Sequence, residues 1–415
     1  MLKVGRLIGN LRYNMLILLF GMIVSSEPNR IYICSIAMFK GLSVLFALIS
    51  GVYFVTVSLA QECNPAGSGL GIEANLISGK IIRHEKKFTA PIPALSNALD
   101  VNFSSKTFGK KEWHQRRNFP VWGVGITYTG YGNNAVFGHC ISIYPDLQIP
   151  ILRWKNLEWT FRFGDGVAYV TKKYQRIYPI DTLNTAIGTH FNDFAILMTD
   201  LKIHMDEHWH LQFGANFTHI SNGDLHQPNL GVNMGGIHAG VQYFPVTCRP
   251  KPMLRDLPKL KKRWLVEARI GVAFNEARAK DSLTVPSYIT TFYVSRRWQS
   301  MNKFFCGFDY AYHSDVYAFL KNYGVEYGHE MGHSWDGAIF AGNECLVGRF
   351  GLVAQLGCYY HQTWLKFDPF YEKLGTNIYL IRQERGPLKE LFVSAFLLTH
   401  EIVAQYGEFG MGVGF

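Results

Sequence analysis

The segment His219-Ile220-Ser221-Asn222 sets an imidazole and a hydroxyl two residues apart. On an extended strand, residues i and i+2 share a face, close enough for the ring to reach the hydroxyl. Acyl transfer needs that pairing: a nucleophile, a base beside it, and a third group to hold the base. A plainer reading stands next to it. Ser-Asn-Gly is a common turn sequence, and a histidine at a strand end often sits in a membrane-interface belt. Spacing alone leaves both open.

A second constellation competes. His329, Glu330 and His333 satisfy H-E-x-x-H, the pattern that places two zinc-ligating imidazoles and a general-base carboxylate on one helical turn. Gly328 and Gly332 disfavour a helix there, the flanking residues alternate as strands do, and no further histidine follows at the spacing of the longer zinc-protease motif. A polar external loop is therefore expected, with a zinc hydrolase as the alternative. No cofactor and no metal are called for.

The elements that would carry these residues are legible in the composition and the periodicity. The 415 residues are 48% hydrophobic, 15% aromatic and 17% charged, with 40 glycines, which excludes disorder and collagen. Beyond residue 60 no uncharged apolar run reaches the roughly 18 residues of a spanning helix. Period 2 instead recurs in segments separated by turns, the repeated signal of a transmembrane β-barrel. Trp122, Val124, Ile126 and Tyr128 alternate with Gly123, Gly125, Thr127 and Thr129; Phe409, Met411, Val413 and Phe415 alternate with Glu408, Gly410, Gly412 and Gly414. Sixteen such segments can be counted between 69 and 415, those at 94–105, 136–147 and 376–383 being the weakest. The expected fold is all-β, a transmembrane antiparallel β-barrel of 12 to 16 strands. Alternation alone does not separate it from a soluble sandwich. Aromatic residues at strand ends, where interface girdles lie, and an export signal favour the barrel.

That signal is Gly41 to Ala60, an apolar segment following Lys40 and ending in the small residues Ser58 and Ala60, suited to leader-peptidase cleavage. The organisation expected is an upstream extension over 1–37, a signal peptide over 38–60 and a single outer-membrane barrel over 61–415. The net charge of +10 is dispersed apart from a run between Arg249 and Arg263, and gives no nucleic-acid footprint. Six cysteines remain beyond residue 60 without CxxC spacing, a scatter that favours free thiols over a disulfide framework.

On this barrel the chemistry falls at one hairpin. Trp209, Leu211, Phe213, Ala215 and Phe217 share a face that continues with His219 and Ser221, so imidazole and hydroxyl point as the lipid-facing side chains do. The chain turns through 222–230 and returns with Asn233 on the same face as Ile237, Ala239, Val241 and Tyr243. His219, Ser221 and Asn233 converge at the outer end, on the bilayer side.

The stretch HISNGDLHQPNLGVN resembles the core of the outer-membrane lipid A 3-O-deacylases of the PagL type: His-x-Ser-Asn, a short gap, then Pro-Asn-x-Gly and an acid two residues on. His219, Ser221, Asn222, Pro228, Asn229 and Gly231 match at that spacing. The resemblance implies an esterase that removes an ester-linked acyl chain from lipid A, the anchor of lipopolysaccharide, in the outer leaflet. It implies Ser221 as nucleophile, His219 as general base, and Asn222 and Asn229 as donors to the oxyanion. The terminal alternating strand ending in Phe415 resembles the assembly signature of bacterial outer-membrane proteins, which implies the barrel assembly machinery as a partner.

Two departures stand out. Asn233 occupies the acid's place; its carbonyl can orient a ring N–H but supplies no charge to the imidazolium. In the serine-protease template the corresponding Asp-to-Asn change costs about 10⁴ in rate, which leaves a non-catalytic barrel, channel or scaffold, as the alternative. The family's barrel is also small and eight-stranded, whereas this chain is far longer.

Overall fold

The computed structural model describes residues 69–415 apart from 85–86, 246–251, 258–261, 277–282, 299–300 and 401–402. The upstream extension and the signal peptide lie outside the described residues.

Sixteen antiparallel strands form where the period-2 segments lie. The first eight are β1 (Leu70–Ile82), β2 (Ser96–Lys106), β3 (Val121–Gly130), β4 (His139–Trp154), β5 (Leu157–Val170), β6 (Phe191–His204), β7 (Trp209–Ser221) and β8 (Val232–Tyr243). The second eight are β9 (Trp264–Glu276), β10 (Thr284–Trp298), β11 (Asn302–His313), β12 (Trp335–Val347), β13 (Phe350–His361), β14 (Phe370–Arg382), β15 (Glu390–His400) and β16 (Val403–Gly414). Two helices interrupt the meander, α1 (Glu112–Arg116) between β2 and β3 and α2 (Ser314–Tyr323) between β11 and β12. The alternation decides each strand's faces: Trp122, Val124, Ile126 and Tyr128 on β3 are exposed to the surroundings, while Thr127 and Thr129 point to a buried interior. No helix among the described residues is long and apolar enough to cross a membrane.

The strands do not close as the one large cylinder expected over 61–415. They close as two of eight strands each. β1 pairs with β8 from Ile72↔Tyr243 to Ile82↔Asn233, which completes the first barrel, and β16 pairs with β9 from Glu408↔Ala273 to Gly414↔Glu267, which completes the second. Periodicity records which face a residue occupies and is silent on which strand lies beside it, so sixteen strands in one ring and eight in two rings leave the same trace.

An eight-stranded barrel has an interior that side chains fill, and here the filling is ionic. In the first barrel Arg162 is fully buried and bonds to Glu73 and, at 3.3 Å, to Asp100, while His238 Nε2 lies 2.8 Å from an Asp200 oxygen. In the second, Lys303 bonds Glu267 at 2.9 Å and Glu390 at 2.7 Å, and Lys373 bonds Asp309 at 3.0 Å. Buried charges persist where each is paired and hydrogen-bonded. Two interiors stoppered in this way suit a solid wall better than a conducting pore.

Strand parity puts the short connections 205–208 and 348–349 at one end, with α1, and the connections 171–190, 222–231 and 314–334 at the other. At the α1 end, Arg117 donates from Nη2 to the carbonyls of Met301 and Leu346, both at 2.8 Å. Cys140, Cys306, Cys345 and Cys358 are free thiols.

Candidate active site

β7 carries the site because its outward series does not stop at the lipid-facing positions. Trp209, Leu211 and Phe213 are exposed, His210, Gln212 and Thr218 line the interior, and the outward series runs on through Phe217 to His219 and Ser221. Both side chains thus belong to the outer wall, as the alternation requires. Ser221 is nonetheless only 1% exposed, and Gly231, at the end of the loop that follows, lies against it.

β8 brings the third residue. The register pairs His219 with Asn233, and Nδ1 of the imidazole lies 2.5 Å from Asn233 Oδ1. With the amide oxygen as acceptor, Nδ1 carries the hydrogen and Nε2 keeps its lone pair, the tautomer a general base needs. Asn233 is 3% exposed, so no water competes for this contact.

Ser221 Oγ is buried and makes no hydrogen bond, to His219 or to any other group. The two residues meet over Gly231. A Cβ placed there would stand 3.0 Å from His219 Cε1 and 3.5 Å from Ser221 Cβ, and the φ of +72° is one that side-chain-bearing residues rarely adopt. The Gly231 N–H is fixed to the Ala186 carbonyl at 2.9 Å.

The loop between the strands is ordered by its asparagines. The Asn222 N–H donates to Asn229 Oδ1 at 2.9 Å, and Asn222 Nδ2 donates to the His226 carbonyl at 2.9 Å. Asn229 Nδ2 is buried with no acceptor. Of the two amides expected to face an oxyanion, Asn229 therefore holds its donor uncommitted while that of Asn222 is engaged.

Sequence reasoning missed three neighbours. Asp193 on β6 is paired in register with Ser221 on the flank away from β8, His84 bonds the Leu230 carbonyl through Nε2 at 2.8 Å, and Glu276 reaches the loop from the second barrel. Each is far away in sequence and arrives by register or by the packing of the barrels, for which no local pattern exists.

The competing zinc motif does not assemble. His329, Glu330 and His333 fall in a run of turns after α2 and not on a helix, and among the described residues no three His, Cys, Asp or Glu side chains are grouped to hold a metal ion. Gly324, which ends α2, and Gly328 both adopt positive φ, at 63° and 83°, so the chain has left the helix before the motif begins.

Residues 97–242 match the family model for lipid A 3-O-deacylase (PagL). Over those residues the chain carries a lipid A 3-O-deacylase (PagL) family domain. Residues 263–415 match a second model, acyloxyacyl hydrolase, C-terminal domain, so the deacylase match ends with β8 and the other takes up with β9. The chain is an outer-membrane β-barrel protein of bacteria. The size discrepancy dissolves as well: an eight-stranded deacylase-type barrel is present, followed by another. The solved outer-membrane enzyme PagL is similar at 16% identity, over 41% of this chain and 97% of its own, with a TM-score of 0.27. Neisserial surface protein A is similar at 13% identity over 43% and 97%, with a TM-score of 0.29, and the β-domain of the Bordetella autotransporter BrkA at 9% over 84% and 99%, with a TM-score of 0.22. No curated protein matches the sequence.

Proposed function

We propose that this chain, through its deacylase-family domain, is a serine esterase that hydrolyses an ester-linked acyl chain of lipid A from the outer wall of its first barrel. The observation that carries the reading is the 2.5 Å contact between His219 Nδ1 and Asn233 Oδ1, which leaves Nε2 as the basic nitrogen two residues along the strand from a buried serine.

In this reading Ser221 Oγ attacks the ester carbonyl as His219 Nε2 takes its proton. The tetrahedral oxyanion accepts from Asn229 Nδ2, and collapse expels the sugar oxygen, which recovers the proton from His219. Water, deprotonated by the same nitrogen, then frees the fatty acid and restores Ser221. A donor aimed at an oxyanion in a zone of low dielectric is worth about 3 kcal/mol. The hydrogen bond from serine to histidine is commonly loose without substrate and tightens in the complex. The ester lies at the boundary of head group and hydrocarbon, so a dyad at the outer end of an outer wall meets it without extracting the lipid.

The test is the mass of lipid A from a host expressing the protein: loss of one acyl chain with the wild type and none with Ser221→Ala. Equal spectra for the two remove the esterase assignment. Asn233 in place of an acid favours the second reading, an inert scaffold, and that reading is the outcome of the same experiment when the wild type leaves lipid A intact.

A further inference from the structure

The loop that follows Ser221 is not held by its own barrel alone. Glu276, the last residue of β9 and 3% exposed, accepts from His226 Nδ1 at 2.5 Å on one carboxylate oxygen and from the Gln227 N–H at 3.1 Å on the other. Gly407 on β16 donates its N–H to the Gly223 carbonyl at 3.1 Å. A Cβ on Gly223 would have Leu397 Cδ1 of β15 3.8 Å away. From the opposite flank the first barrel presses Gly188 so close that a Cβ there would meet the carbonyls of His226 and Pro228 at 2.7 and 2.9 Å.

These contacts lead inward. The residue whose ring Glu276 holds, His226, offers its own carbonyl to Asn222 Nδ2, and the Asn222 N–H is capped by Asn229 Oδ1. A carboxylate of the second barrel is thus linked through His226 to the residue adjoining Ser221, and through one bond more to the amide whose donor is uncommitted. Both oxygens of the buried Glu276 are used, one by the half-exposed imidazole of His226 and one by a backbone N–H.

We infer that the outer rim of the second barrel, through Glu276, is the positioning element of the active-site loop in the first. The second barrel holds the loop so that Asn229, bonded through Oδ1 to the N–H of Asn222, stays next to Ser221. The catalytic half of this inference rests on the esterase reading; the mechanical half does not.

The experiment uses the full chain in its membrane or in micelles, with Glu276→Ala and Glu276→Gln, each checked for folding by the heat-dependent gel mobility of β-barrels. Hydrogen exchange reads the clamp: amides over 222–231 exchange about tenfold faster or more in Glu276→Ala. Deacylation reads the positioning: kcat falls about ten- to a hundredfold while KM moves less than about twofold. Glu276→Gln keeps one acceptor and lies between. A variant that merely loosened the whole barrel would speed exchange in β1–β8 as well, and that result overturns the inference, as does an unchanged loop exchange or an unchanged kcat in Glu276→Ala. A wild type that cleaves nothing removes the esterase reading, and the exchange rates then decide the clamp by themselves.

Discussion

Asn233 Oδ1 lies 2.5 Å from His219 Nδ1, and by accepting that hydrogen it leaves Nε2 as the basic nitrogen of the ring. An amide performs this selection as a carboxylate would. It would not neutralise the imidazolium that the proposed deprotonation of Ser221 forms. Orientation and charge, usually supplied by one acid, are here separated.

Restoring the charge should therefore accelerate the reaction. Asn233→Asp is expected to raise kcat about tenfold or more, and Asn233→Ala, which frees the ring to adopt the other tautomer, to lower it by a similar factor. Rates of acyl release from purified lipid A, measured side by side for the three proteins, check this; a slower Asp variant would show that Asn233 is optimal as it stands.

Gly231 is the second sensitive position. Its φ of +72° and the 3.0 Å separation of a notional Cβ from His219 Cε1 leave a methyl group no room without moving the ring. Gly231→Ala should cost about a hundredfold in kcat through displacement of the base, with the barrel still folded by gel mobility. Full activity in that variant contradicts the placement of His219 over this glycine.

The ionic interior makes a prediction about stability alone. Arg162 is fully buried and holds Glu73 and Asp100. Arg162→Met removes the cation the two carboxylates share, leaving only Lys202, 3.7 Å from Glu73, and should destabilise the first barrel by about 3–5 kcal/mol. The urea midpoint of the reconstituted protein reads the loss, and a midpoint within error of the wild type would mean that the acids are satisfied otherwise.

The zinc alternative has its own measurement. His329 and His333 sit in exposed turns, so His329→Ala, His333→Ala and prolonged chelation should each leave deacylation unchanged. A parallel loss of activity in all three would restore the metal reading.

How much of this was legible in the chain follows from what periodicity encodes. Each of the sixteen strands has its alternating segment, and the outward direction of His219 and Ser221 could be read by counting from Trp209 in steps of two. Closure could not. The Ile82↔Asn233 pairing that ends the first ring joins residues far apart in sequence, and no local property of either announces it. One clue was available: between β8 and β9 the chain carries Pro250, Pro252 and Pro258 amid a basic run, a composition that suits a connection between two bodies better than a hairpin turn. The role of Asn222 and Asn229 needed the loop itself, because which amide spends its donor is decided by where the His226 carbonyl points. Glu276 was beyond reach for a deeper reason. Its partner loop lies on another barrel, and a contact between two separately closed rings has no periodic signature at all.

The surroundings of Ser221 are lopsided. On the β8 flank stand Gly231 and the loop it ends, whereas on the β6 flank Phe191 and Asp193 are exposed. On the proposed esterase reading, a glycolipid confined to a leaflet, diffusing in two dimensions with its head uppermost, would come to the hydroxyl by the β6 flank. The wall would then impose a handedness on the encounter and favour whichever ester is presented from that side.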